Sequence, residues 1–390
     1  MVTPASTDRQ ELPVLEDVTS EKVGSGVEVE RVEDPSATIK EPFDPDQIDV
    51  KTKPMVVDLL MSRIRGGQRE IDLMPDFQRR AGIWDQTRKS RLVESLLLRI
   101  PLPVFYVAAD KNERWSVVDG LQRITTLKEF IVDKSLTLKN LEFLGHLNDC
   151  DFDGLSREMQ RRIQETELTV HIIQPGTPPA VMFNIFKRIN TGGLPLSAQE
   201  IRHAIKQGHA THLLKELAES PEFKDATRSS IKDERMADRE CVLRFCAFWI
   251  TESSSYPNVD LDTFLIDAME KINHWSPLQL VELSSIFLRS LKLSKLVLGK
   301  WAFRKYYGAN YRLSPINKAL FEVWTVTFAG VSDEQAVKLV ERKEVVLQKF
   351  GELMRDRSFE ESISIGTGSA ANVRKRFIEI KSLILGVLSA

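Results

Sequence analysis

The chain reads as an α+β protein: a small α/β domain followed by an all-α domain. Three observations predict this. Between about residues 51 and 175, short apolar runs rich in Val, Ile, Tyr and Phe alternate with stretches of helical spacing. From about residue 179, apolar positions recur at helical intervals almost to the end. Ahead of both, residues 1–50 carry 13 acidic and 4 basic side chains. With few aromatics and several prolines, that segment reads as a disordered acidic leader. The expected organisation is therefore a leader over 1–50, a small α/β domain over 51–178 and a helical domain over 179–390.

The elements follow in order. Pro54 to Ile64 has helical spacing with a proline near its start, and Gly66-Gly67 stops it. Ile71-Asp72-Leu73 is a short strand. Thr87 to Leu98 is an amphipathic helix, with Leu92, Val93, Leu96 and Leu97 on one face and Arg88, Lys89 and Arg91 on the other. Pro101 and Pro103 end it. Val104 to Ala108 and Trp115 to Val118 are strands around a turn at Asp110-Lys-Asn-Glu, and Leu168 to Ile173 is another. Pro178-Pro179 opens a helix through Ile189, and Ser197 to Glu200 has capping-box spacing before the next. Helical patterns then cover roughly 208–220, 237–252, 260–273, 277–296, 315–329, 333–350 and 371–388. No repeat of fixed period occurs.

At 390 residues the chain can hold two or three domains. Its net charge of −2 says little about partners, but with the acidic leader set aside the remainder is mildly basic. The cysteines, Cys150, Cys241 and Cys246, read as free thiols, and no Cys/His set has zinc spacing. No apolar run is long enough for a membrane span and no signal-peptide core opens the chain, so a cytoplasmic location without a membrane partner is expected. The histidines His203, His209 and His212 lack a nearby carboxylate that would complete a metal or nuclease motif.

The most informative stretch is Asp119-Gly120-Leu121-Gln122-Arg123. It lies between a strand and a helix, where free N–H groups attract anions, phosphate above all. Arg123 and Gln122 add donors suited to phosphate oxygens. Asp119 can cap the helix, hold the arginine, or polarise a water or metal. A second cluster spans residues 74–84, where Gln78 and Arg79 offer donors and Trp84 a flat face for a base; a surface loop with Trp84 tucked into the core explains the same letters. A third, Asn190-Thr191-Gly192-Gly193, permits close backbone approach to a ligand, although a plain helix connector also favours these residues. A fourth, Ser364 to Arg376, leads a Gly/Ser/Thr loop into a helix bearing Arg374, Lys375 and Arg376. It is a candidate phosphate cradle, or simply a solvated helix face.

Taken in this order, Phe77-Gln78-Arg79 with Trp84, then Ser95 to Pro103, then Asp119-Gly-Leu-Gln-Arg, and finally Asn190 to Arg202, the motifs resemble the N-terminal domain of GmrSD-type restriction endonucleases. That resemblance covers about residues 55–205. It implies a ParB/sulfiredoxin-like fold and nucleotide binding or hydrolysis by an Asp-Gly-Gln-Gln-Arg motif, coupled to defence against foreign or modified DNA. Asp119, Gly120, Gln122 and Arg123 match that motif, and Leu121 replaces its first glutamine. The HNH-like His motif of the usual nuclease partner domain is not among these residues.

The leading expectation is a nucleoside triphosphate module of a restriction or phage-defence system. Asp119, Gln122 and Arg123 would act catalytically. Gln78, Arg79, Trp84, Gly120, Asn190 and Thr191 would bind nucleotide, with Mg2+ if hydrolysis occurs. The partners would be DNA and a separate nuclease or methyltransferase subunit. The alternative is a non-enzymatic ParB-like adaptor gripping DNA through Arg80, Arg88, Lys89 and Arg91. A nuclease using Asp76 and Asp119 is the third reading, for which no paired-carboxylate spacing stands out.

Overall fold

The structure, a computed structural model, describes residues 16–18, 24–30, 48–65, 70–73, 84–189, 196–233, 235–257 and 260–389. These group into two compact units. One comprises residues 38–207, the other residues 1–37 with 208–390. The first unit therefore extends past 178, and the second contains an N-terminal piece.

The α/β unit is built on a mixed five-stranded sheet ordered β3-β7-β5-β6-β4. Its strands are β3 (Val50–Val56), β4 (Ile71–Asp72), β5 (Phe105–Ala109), β6 (Trp115–Asp119) and β7 (Glu167–Ile173). β3 runs antiparallel to β7, β7 parallel to β5, β5 antiparallel to β6, and β6 parallel to β4. The helix expected from Pro54 is displaced: residues 50–56 form an edge strand, and α1 covers Val57–Arg65. Pro54 sits opposite Thr169 on that edge, where a missing N–H is tolerated. β5 and β6 turn at Asp110, whose Oδ1 accepts from the amides of Asn112 and Arg114.

The amphipathic helix is α2 (Gln86–Leu97), started by the Asp85 side chain accepting from the Arg88 amide at 2.8 Å. Its apolar face joins Phe105, Val107, Ile124, Phe130, Leu168 and Val170 in one core. Beyond β6 come α3 (Leu121–Leu127), one π-helical turn (Lys128–Val132), α4 (Arg157–Gln164), α5 (Pro179–Ile189) and α6 (Ala198–Ile205). Ser197 and Glu200 form the expected capping box of α6.

The second unit is helical: α7 (His209–Glu219), α8 (Pro221–Thr227), α9 (Ala237–Ile250), α10 (Leu261–Asn273), α11 (Pro277–Leu298), α12 (Lys318–Ala329), α13 (Asp333–Glu341), α14 (Lys343–Leu353), α15 (Arg357–Ser364) and α16 (Ala370–Ser389). α9 and α11 pack on α12, where Trp324 is fully buried. The single pattern over 333–350 is two helices, broken at Arg342. Cys241 and Cys246 are buried free thiols, as their spacing suggested, and burial pushes Cys246 up to about 12.

The leader expectation fails at residues 24–30. β2 (Gly24–Glu28) pairs antiparallel with β1 (Glu16–Val18), bridges to Ile316 and carries the buried Val27 and Glu28. Local composition gave no sign of this because the ordering partners are cations about 200 or more residues away. No described helix is long and apolar enough to cross a membrane.

Candidate functional site

The site grows out of cross-strand register. Paired residues of adjacent strands project to the same face. Thr52 pairs with His171, His171 with Tyr106, and Tyr106 with Asp119, so these four side chains form a row across β3, β7, β5 and β6. Contacts fill part of the row: Thr52 Oγ1 lies 2.9 Å from His171 Nδ1, and the Tyr106 and His171 ring centroids are 4.9 Å apart. The Asp119 carboxylate is one-third exposed at the end of this row.

Immediately after Asp119, the chain turns through Gly120 in the left-handed region, φ +99, to start α3. A Cβ there would meet Phe105 Cδ1 at 2.4 Å, so glycine is required by both the dihedral and the packing. The turn thus brings the helix start against β5. Gln122, in the first turn of α3, is half-buried.

Arg123 is placed differently from expectation. It lies on the buried side of α3, 8% exposed, with its guanidinium 4.3 Å over the Phe105 ring. Nη1 donates to the Pro103 carbonyl, and Nη2 to the Val104 carbonyl at 3.1 Å and to Asp119 Oδ2 at 2.9 Å. Burial holds its pKa below the usual guanidinium value, and the Asp119 carboxylate opposes that shift. Arg123 lies four positions after Asp119, which places the arginine back over the strand end, among carbonyls that need a donor. In this structure Arg123 is a strut joining the β5 entry, the end of β6 and the helix start.

Other candidates sort as follows. Trp84 is partly buried against the α/β core, favouring its packing role. Gln78, Arg79, Arg80, Asn190 and Thr191 lie outside the described residues. On α2, Arg88 is exposed, Lys89 is ion-paired to Glu129 at 2.7 Å and Arg91 lies 3.8 Å from Glu142, so this basic face is partly neutralised. The Ser364–Arg376 stretch is not a solvated face at Arg376, which is fully buried and bound to Glu322. An open cleft of about 490 Å³, lined by Arg99, Arg161, Arg162, Glu158, Glu165 and Glu167 among others, contains none of the candidates.

Several residues escaped the sequence reading. In sequence His171 and Tyr106 are plain strand residues and Thr52 carries no signal; what links them exists only in the register. α6 packs against β6 and buries Gln199, Glu200, Arg202 and His203. Gln199 Oε1 accepts from Arg202 Nε at 2.9 Å, and the guanidinium stands 5.9 Å over Phe183. So many buried polar groups on one short helix are unusual for a packing element. The letters Ser-Ala-Gln-Glu-Ile-Arg were visible as a capping box, but their burial was not.

Residues 57–206 match the family model described as GmrSD restriction endonuclease, N-terminal domain. The chain carries a domain of that family. The match spans the Asp119 turn, the polar row from His171 onward and α6, and it ends at the last residues of the α/β unit. Comparison with curated proteins and with solved structures returns no match.

Proposed function

We propose that the GmrSD-type domain binds a nucleoside triphosphate at the end of β6, and hydrolyses it to drive a DNA restriction system. The observation that supports this reading is the convergence on β6 of the polar row ending at Asp119 and the buried polar helix α6. Tyr106, paired with Asp119, and His171, one strand further along the row, offer ring faces and a ring nitrogen on the face that carries the Asp119 carboxylate. Asp119 and Gln122 are the groups that would orient water or phosphate, while Arg123 fixes the turn that carries them. Gln78, Arg79, Asn190 and Thr191 remain proposed nucleotide contacts.

The residues suit a metal-bound triphosphate in one respect. Mg2+ is commonly held by one or two carboxylates together with phosphate oxygens, and Asp119 supplies an accessible carboxylate. The metal would contribute charge neutralisation of the phosphates. DNA and a separate nuclease or methyltransferase subunit are the partners this reading requires.

The test is calorimetric titration of the full chain with ATP and with GTP in the presence of Mg2+, followed by phosphate-release assays. Saturable binding by one of them is expected. Asp119→Asn and Gln122→Ala should each weaken binding or turnover at least about tenfold, one lost charge-assisted contact; Gln122→Ala should leave melting little changed, whereas Asp119→Asn also removes the charge partner of Arg123 and should lower melting of a chain that still folds. A folded chain that binds no nucleotide sinks the proposal.

A further inference from the structure

Charge and geometry in the helical unit point to a second binding site, unrelated to the nucleotide reading. Alternation along a strand puts Glu28 and Glu30 on one face of the β2 segment. Both enter a polar cleft among the helices. Glu28 meets Lys305 Nζ at 2.9 Å and Asn317 Nδ2 at 3.1 Å. Glu30 takes a two-pronged interaction from the Arg244 guanidinium, and the Thr367 hydroxyl donates to it at 2.7 Å. The backbone adds strand-like bonds: the Glu28 amide to the Ile316 carbonyl, the Ile316 amide to the Gly26 carbonyl, and the Lys232 amide to the Ser25 carbonyl, each 2.8 Å. Gly26, at φ +81, passes so close to Ser230 that a Cβ would overlap its carbonyl oxygen.

This is how a protein holds a peptide. Main-chain bonds give purchase, and side-chain pockets read the sequence. The segment is held mainly by its carboxylates: Val27 is its buried apolar side chain, while Val29 is exposed. The helices carry their own counter-charges, with Glu240 at 3.0 Å and Glu322 at 3.4 Å from Arg244, and Glu360 at 2.9 Å from Lys305. The cleft is thus a partly neutralised, preorganised cation set that a pair of incoming carboxylates completes.

We propose that Gly24–Glu30 is an intramolecular peptide ligand, and that the cleft of Arg244, Lys305, Asn317 and Thr367 is a recognition site for an extended acidic segment spaced Glu-x-Glu. The occupant is the chain's own N-terminal segment, which can be supplied in trans.

The experiment replaces residues 33–39 of the full chain with a protease recognition sequence. After cleavage, the N-terminal fragment should co-elute with the remainder on gel filtration. A labelled peptide of residues 20–32 should exchange into the site. The same peptide carrying Glu28→Gln and Glu30→Gln should compete about 30-fold or more weakly, the scale of losing buried charge pairs. In the uncut chain, the same two substitutions should speed amide exchange at Glu28 and Ile316 by a similar factor and leave α10 unchanged. A fragment that never exchanges, a peptide that binds equally well with both glutamines, or unaltered exchange in the uncut double variant overturns the proposal.

Discussion

Arg123 shows how far a single residue can depart from its apparent purpose. In sequence it is a cation at a helix start, which invites an anion. In the fold its donors go to Pro103, Val104 and Asp119, and its flat face covers Phe105. Removing it would leave two carbonyls and a carboxylate without their buried donor. Arg123→Ala should therefore destabilise the α/β unit by about 3 kcal/mol, a melting decrease of roughly 5–10 °C. Arg123→Lys should recover less than half of that, because an ammonium can neither span the three acceptors nor stack. Melting curves decide the matter. If Arg123→Ala melts like the parent yet loses nucleotide binding, the strut assignment is wrong and the phosphate role returns. The letters Asp-Gly-Leu-Gln-Arg made the strand–turn–helix legible, together with the need for glycine. They could not show which side of a seven-residue helix would be buried, since that depends on where β5 enters.

Among the elements, α2 was the most legible because a wide apolar stripe and a capping aspartate leave little choice of conformation. Its hidden feature is Glu94, a carboxylate buried beside the apolar stripe. Oε1 accepts from the amides of Phe143 and Leu144 at 2.7 and 2.8 Å, and Oε2 from that of Glu142 at 3.0 Å. Burial alone would raise its pKa, but these three amides outweigh it and leave the carboxyl below its ordinary 4.5. A depressed carboxylate pKa stabilises the fold above the unfolded value and loses that contribution as pH falls through the folded value. Glu94→Gln should therefore cost about 2 kcal/mol at neutral pH, and the gap from the parent should close as the pH falls below 4.5. A pH series of urea midpoints tests it; a gap that stays constant down to acid would mean the charge is irrelevant. The edge strand β3 was misread for a related reason. Pro54 and the apolar residues after it fit a helix start, and only pairing with β7 reveals an edge that accepts proline.

For the whole molecule, the division into two compact units predicts two separable responses. The α/β unit has its own core around the sheet, and the helical unit has its own around α9, α11 and α12. The N-terminal segment belongs to the second although it precedes the first in sequence, and its acidic, proline-bearing composition hid that. Units with independent cores melt independently unless a large interface couples them. Calorimetry of the full chain should therefore resolve two transitions. Glu30→Ala removes a partner of the fully buried Arg244, so the helical transition should fall by about 3 kcal/mol while the other holds. Glu30 also sits below its ordinary carboxylate pKa, burial being outweighed by Arg244 and Lys318, so this stabilisation is present above 4.5 and fades as pH falls through the folded value. Arg123→Ala should lower only the α/β transition. A nucleotide that binds as proposed should raise only that one, by about 2.7 kcal/mol at a hundred times its Kd. One merged transition, moved alike by both substitutions, would show that the units fold as a single cooperative body.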